Sequence, residues 1–189
     1  MNRNYRKTTA AIRQAYFEML REQGKKITVA ALCRHADIDR KTFYLHFASI
    51  DDIIPSFSQE LIERLMARLQ EEGFFERLYD LKTVFEVMDE IAEEDIELYR
   101  FMASGHAYEF FWDRLIAMFR HEAVRVLTEH TDGRAEDIEL FSAFYAAAFI
   151  AVYRQYLCGE YGDDREGLTQ RLSLIGSRGL SALAKKKAS

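Results

Sequence analysis

Residues 28–47 read Thr-Val-Ala-Ala-Leu-Cys-Arg-His-Ala-Asp-Ile-Asp-Arg-Lys-Thr-Phe-Tyr-Leu-His-Phe. The run predicts two short helices separated by a tight turn. Thr28 carries the hydroxyl an N-cap needs, and Val29, Leu32 and Cys33 form an apolar face at helical spacing. Asp37 stands where the chain must turn, and aspartate tolerates the left-handed conformation better than most non-glycine residues. Asp39 then caps a second helix from Arg40 to His46. Cys33 is small and lets the two helices approach. Phe43 and Phe47, four apart, bury one side of the second helix, while Arg40, Lys41, Thr42, Tyr44 and His46 leave hydrogen-bond donors on the other. A helix of this kind suits the major groove of DNA.

Outward from this run, Thr8 or Thr9 starts a preceding helix whose inner face is Ile12, Ala15, Tyr16, Met19 and Leu20, and Gly24 ends it. The result is a three-helix head over residues 1–48. Arg3, Arg6 and Lys7 come before it, either as an arm reaching phosphates or the minor groove or as a plain disordered tail. Downstream, Ser49 begins a helix with Asp51 and Asp52 in its first turn and Ile53, Ile54, Phe57, Leu61, Leu65 and Leu69 as its stripe, ending near Glu72. Pro55 lies inside that pattern, which predicts a bend.

The rest, residues 49–189, predicts a helical body. Breaks fall at Gly73, Ser104-Gly105, Thr131-Asp132-Gly133 and Gly159–Gly162. One proline and nine glycines leave little material for strands, so the chain reads as all-α. The helix at 135–159 stands apart: residues 140–153 carry no charge, and a helix apolar all round is buried all round. Its alanine side (Ala143, Ala147, Ile150, Ala151) and the last helix (Leu172, Gly176, Gly179, Leu183) predict a seam between two copies. Small residues there allow close approach, and a closed two-fold pair is the commonest homo-oligomer.

Charge divides the chain in the same place. Residues 1–48 hold ten Lys/Arg and four Asp/Glu, a net +6, and residues 49–189 hold sixteen and twenty-seven, a net −11. A basic head on an acidic body attracts phosphate to the head alone. No apolar run reaches the roughly 20 residues that span a bilayer, and the N-terminus lacks the apolar stretch of a signal peptide. The two cysteines, Cys33 and Cys158, are far apart, and the five histidines show neither metal-ligand nor triad spacing. Neighbouring acids such as Asp51-Asp52 point apart on a helix. Nothing positive supports an enzyme, a cofactor or a membrane protein, and a cytoplasmic chain is expected.

The elements Ile27-Thr28-Val29, Leu32-Cys33 and Ala36-x-Ile38-x-Arg40-x-Thr42-Phe43-Tyr44-x-His46-Phe47 resemble the helix-turn-helix of the TetR family of bacterial transcriptional regulators. The motif match covers residues 8–54, and the layout covers the whole chain. Phe144-Tyr145-Ala146-Ala147-Ala148-Phe149-Ile150 is similar to the branch that includes dihydroxyacetone-kinase regulators. The resemblance implies about nine helices, a connecting fourth helix in which Pro55 is a hinge, and a body that binds a ligand and dimerises. It implies a regulator, a repressor by default, that binds palindromic double-stranded DNA as a homodimer and answers to a small-molecule inducer. Arg40 and Lys41 would face base edges, Thr28, Tyr44 and His46 would hold phosphates, and Thr42 would do either or cap locally. Tyr44 would otherwise only pack, and His46 would otherwise be a satisfied structural histidine. Phe85, Tyr99, Phe101, His106, Tyr108, Trp112, Tyr145 and Phe149 would line a ligand cavity or simply fill the core. The chain departs from the family at Ala48 and Ile50, where lysines are common, and at Leu45, where an aromatic or polar residue is common. Fewer phosphate-binding lysines lower affinity, and leave open a member that acts through a protein partner.

Overall fold

The computed structural model describes residues 3–23, 27–74, 81–105, 108–162 and 164–180. Among them the regular structure is all-helical: α1 (Arg3–Gln23), α2 (Val29–His35), α3 (Arg40–His46), a 3₁₀ turn (Ile50–Asp52), α4 (Ile53–Glu71), α5 (Leu81–Glu93), α6 (Ile96–Ser104), α7 (Glu109–His130), α8 (Ala135–Leu157) and α9 (Arg165–Leu180). Contacts divide the chain into two compact units, Met1–Leu61 and Ile62–Ser189, and the division falls within α4.

In the first unit the two short helices are built as their sequence dictates. Thr28 Oγ1 accepts from the Ala31 N–H at 3.3 Å, and Asp39 Oδ1 accepts from the Thr42 N–H at 2.7 Å. Between them α2 closes on a left-handed residue, Asp37 at φ +51°. The Ile38 N–H donates to the Cys33 carbonyl at 3.0 Å and the Asp37 N–H to Arg34 at 3.4 Å, so the last carbonyls of α2 are satisfied. Leu32, Cys33, Phe43 and Phe47 are buried together with Ile12, Ala15, Tyr16, Phe17 and Met19 of α1.

Two expectations change here. The first helix begins at Arg3 and not at the threonines. Thr8 and Thr9 direct their hydroxyls back to the carbonyls of Asn4 and Tyr5, at 3.1 and 3.0 Å, so neither is available as a cap. Arg3, Arg6 and Lys7 therefore ride on helix, exposed, and are not an unstructured arm. Pro55 falls in the first turn of α4, behind the 3₁₀ turn, where a helix has unsatisfied N–H positions in any case. It breaks no interior bond of the 19-residue helix, which removes the physical reason for a hinge there. Gly24 lies outside the described residues.

In the second unit α7 packs most extensively along α8, α6 also lies against α8, and α5 against α9. Arg154 of α8 ties three helices together. Its guanidinium pairs with both carboxylate oxygens of Glu109 at 3.0 Å, donates to the Ala103 carbonyl at 3.3 Å and sits over the Trp112 ring at 5.3 Å. The Trp112 indole N–H donates to the Met102 carbonyl at 3.1 Å.

A second polar knot holds α9. Asp89 of α5 is 3% exposed, and its carboxylate takes the Arg165 guanidinium at 3.0 Å and the Tyr156 hydroxyl at 3.4 Å. Burial pushes the Asp89 carboxyl up and the Arg165 charge opposes that push. Removing Arg165 leaves a buried carboxylate with only a long hydroxyl contact, though water reaches the half-exposed arginine position. Arg165→Ala should therefore destabilise the chain by about 1–3 kcal/mol, and adding Asp89→Asn should recover part of the loss. Denaturant unfolding of the two variants measures both effects.

The charge-free helix does not bury every side. Leu140 and Phe144 are 71% and 64% exposed, and Ala147, Ala148 and Ala151 are exposed too. Ile150 and Leu172, read as seam residues, are covered within the chain, and Ala143 is half-buried. The glycines of α9 also have an intrachain reason. A Cβ on Gly176 would stand 2.8 Å from Leu81 Cδ1, and one on Gly179 would overlap Tyr145 Oη. That hydroxyl donates to the Ile175 carbonyl at 3.1 Å. Leu183 lies outside the described residues.

Candidate nucleic-acid interface

The exposed face of α3 follows from what its buried face must do. Phe43 is fully buried and Phe47 nearly so. Helical geometry then turns Arg40, Lys41, Tyr44 and Leu45 outward, at positions i, i+1, i+4 and i+5. Tyr44 is 58% exposed and Leu45 67%. The Tyr44 ring meets Phe43 edge-on, at 5.4 Å between centroids, which leaves its hydroxyl free to reach outward. Thr28, at the start of α2, is exposed while its oxygen caps that helix. Thr42 is half-buried and sits over the Asp39 cap, whose carboxyl the Thr42 N–H holds below the usual range.

His46 is differently placed. Its ring stacks on Tyr5 of α1, with centroids 4.1 Å apart and planes 28° from parallel, and Nδ1 lies 2.8 Å from Thr9 Oγ1. The Thr9 hydroxyl has one hydrogen and two neighbours, the Tyr5 carbonyl at 3.0 Å and His46 Nδ1. Both bonds form together only if threonine donates to the carbonyl and accepts from Nδ1–H. In the neutral ring Nε2 is then an acceptor. His46 thus clamps the end of α3 to α1, and it can donate to a phosphate only as the imidazolium. Burial lowers its affinity for that proton.

The sign of the pH effect follows. The folded-state value lies below the unfolded one, near 6.5, so His46 contributes full stability above the unfolded value and loses it as pH falls through the folded one. Acidifying from pH 7 to 5 should lower the protection factors of amides in α1 and α3, once exchange rates are corrected for the slower intrinsic exchange at the lower pH. His46→Gln should flatten that pH dependence relative to the parent chain. Nitrogen chemical shifts of the ring at pH 8 should report the Nδ1–H tautomer.

A small cleft lies inside the second unit. Met66, Leu69, Leu81, Val84, Phe119, Val126, Ala146 and Phe149 give it apolar walls, with Glu122, Ser142 and Tyr145 as polar groups. Its volume is about 50 Å³, room for a few waters where one needs about 10–15 Å³. The Ser142 hydroxyl is fully buried and has no partner among the described residues.

Of the residues read as cavity lining, Tyr145 and Phe149 face the cleft. Phe85 packs edge-on against Tyr153 and Tyr156, and Trp112 against Phe111; Tyr108 packs at a tilt on the half-buried Phe101, so Phe85, Trp112 and Tyr108 fill core elsewhere. Tyr99 is also core, and burial pushes its hydroxyl well above the usual range. His106 lies outside the described residues. Ser142 escaped notice because a lone serine in an apolar helix carries no sequence signal.

Among solved structures the chain resembles two in particular. One is described as a dihydroxyacetone kinase operon activator, DhaS, with 14% identity, a TM-score of 0.64, and 94% of this chain matched to 98% of that one. The other is a TetR transcriptional regulator from Streptococcus agalactiae 2603V, with 18% identity, a TM-score of 0.63, and 92% matched to 96%. The chain has the TetR-regulator fold. No protein-family model and no curated protein sequence matches it. No helix among the described residues is long and apolar enough to cross a membrane. No cluster of metal-ligating side chains occurs among them.

Proposed function

We propose that this chain is a DNA-binding transcriptional regulator, a repressor by default, that works as a two-fold dimer in the cytoplasm and answers to a small ligand. The observation that carries the reading is the outward face of α3. Two cationic donors and a tyrosine hydroxyl project from a helix whose other side is anchored, on the unit that carries the chain's positive charge. Arg40 and Lys41 take base edges, Tyr44 and Thr28 hold backbone phosphates, and Thr42 supports them from the cap. The fold shared with two regulators supports this.

Selection of bound sequences from random duplexes by the purified protein is the direct test, and it yields the operator. Arg40→Ala should then cost about 1–3 kcal/mol on that operator, with the loss concentrated at one base pair per half-site. If Arg40→Ala and Lys41→Ala both leave duplex binding at low salt unchanged, α3 is not the reading helix. A second reading has its own observation: Ala48 and Ile50 remove two phosphate-binding charges. In that case the protein selects no duplex and acts through a protein partner.

The dimer reading rests on exposed apolar side chains that one chain leaves uncovered. Leu140, Phe144, Ala147 and Ala151 follow one another along α8 at spacings of four, three and four, and Leu174 and Ile175 are exposed on α9. A two-fold pair would present two α3 helices to one duplex face, half-sites about 34–36 Å apart or multiples of that. Ala147→Glu would bury an unpaired carboxylate and should yield a helical monomer by light scattering and circular dichroism. A parent chain that is monomeric at micromolar concentration would refute the dimer. For the ligand, the apolar cleft with the unpartnered Ser142 hydroxyl supports a small, mostly apolar molecule with one hydrogen-bonding group.

A further inference from the structure

We infer that Leu45 is a specificity-determining residue, whose side chain reads the C5-methyl group of a thymine in the major groove. This rests on the reading of α3 as the DNA-facing helix and adds to it an apolar contact.

Within residues 3–61, Tyr44 and Leu45 are the large hydrophobic side chains left exposed among those described. They are adjacent, on a helix of seven residues. Leu45 follows Lys41 by one helical turn, so the two share a face of the helix. An apolar side chain thus stands on the exposed face of α3 beside the charged pair Arg40 and Lys41.

Leucine has no donor, so it cannot hold a phosphate or a guanine edge. In the major groove the complement of an aliphatic side chain is the thymine methyl group, which neither cytosine nor a purine offers there. Charge selects the occupant. Leu45 lies beside two cations in a region of net +6, so a polyanion is the partner drawn to this face. Once the face docks, Leu45 exchanges water for the methyl. The contact has no dependence on salt, whereas each lysine contact would have one.

The experiment uses the full chain and the operator obtained by selection. Each thymine of a half-site is replaced in turn by deoxyuridine, which lacks only the methyl, and dissociation constants are measured for the parent, Leu45→Ala and Leu45→Met. For the parent, one thymine per half-site should respond, with affinity falling about fourfold, the worth of one buried methyl. With Leu45→Ala that thymine should become indifferent to the replacement, and Leu45→Met should keep the response. Because Leu45 is exposed, the variants should retain the parent's circular dichroism and melting temperature, which are recorded alongside.

Equal deoxyuridine responses in the parent and Leu45→Ala would overturn the inference. So would a Leu45→Ala loss that is the same on every duplex, which would place Leu45 on sugar–phosphate or on a protein. If Arg40→Ala weakens the operator while no thymine responds, the DNA reading stands and the leucine contact falls. If the parent selects no duplex, both fall.

Discussion

The buried ring of Phe43 is the constraint on which the candidate interface depends. A helix of seven residues has too few internal hydrogen bonds to persist alone. It holds here because Phe43 and Phe47 are inside, Asp39 caps its start, and the stacked His46 secures its end to Tyr5 and Thr9. Those attachments use up one side of the helix, so the remaining positions have nowhere to point but outward. The donor-lined face is a consequence of the anchor, and the order of residues from Arg40 to His46 sets which side chains belong to each.

The body solves a different problem. Much of its interior is aromatic and aliphatic, which binds strongly but without direction. Direction comes from a few polar knots. Arg154 joins α6, α7 and α8 through a carboxylate, a carbonyl and an indole face. Asp89 joins α5 to α8 and α9 through Tyr156 and Arg165. A buried carboxylate is costly to leave without its counter-ion, so α9 is held where Arg165 can reach. Gly176 and Gly179 then let Leu81 and Tyr145 press against the α9 backbone.

The uncovered apolar surface is as informative as the covered. Among the described residues, apart from Phe110, which has Arg114 stacked over it, the large exposed hydrophobic side chains sit on three helices: α3 in the first unit, α8 and α9 in the second. These coincide with the faces proposed for DNA and for a second copy. One is flanked by cations and the other by small residues, so the chemistry of the two surfaces differs as their proposed partners do.

Much of this was legible in the linear sequence, and what was missed has common causes. The helix-turn-helix, its two caps and its left-handed Asp37 rest on interactions spanning three or four residues, and local spacing records these directly. The breaks read at Ser104-Gly105, Thr131-Asp132-Gly133 and Gly159–Gly162 likewise fall within a few residues of where α6, α7 and α8 end. The start of α1 was missed because Thr8 and Thr9 were free to cap or to bond back, and only the folded turn decides between them. The role of His46 depends on Tyr5 and Thr9, remote in sequence, and no periodicity encodes a contact across that distance. The charge-free run of α8 pointed to its alanine side, where Ala147 and Ala151 are exposed, but not to Phe144, since Phe144 and Phe141 are alike in type and opposite in exposure. Composition and spacing settle which residues can be buried. Which of them are buried is decided by the packing of helices distant in the chain.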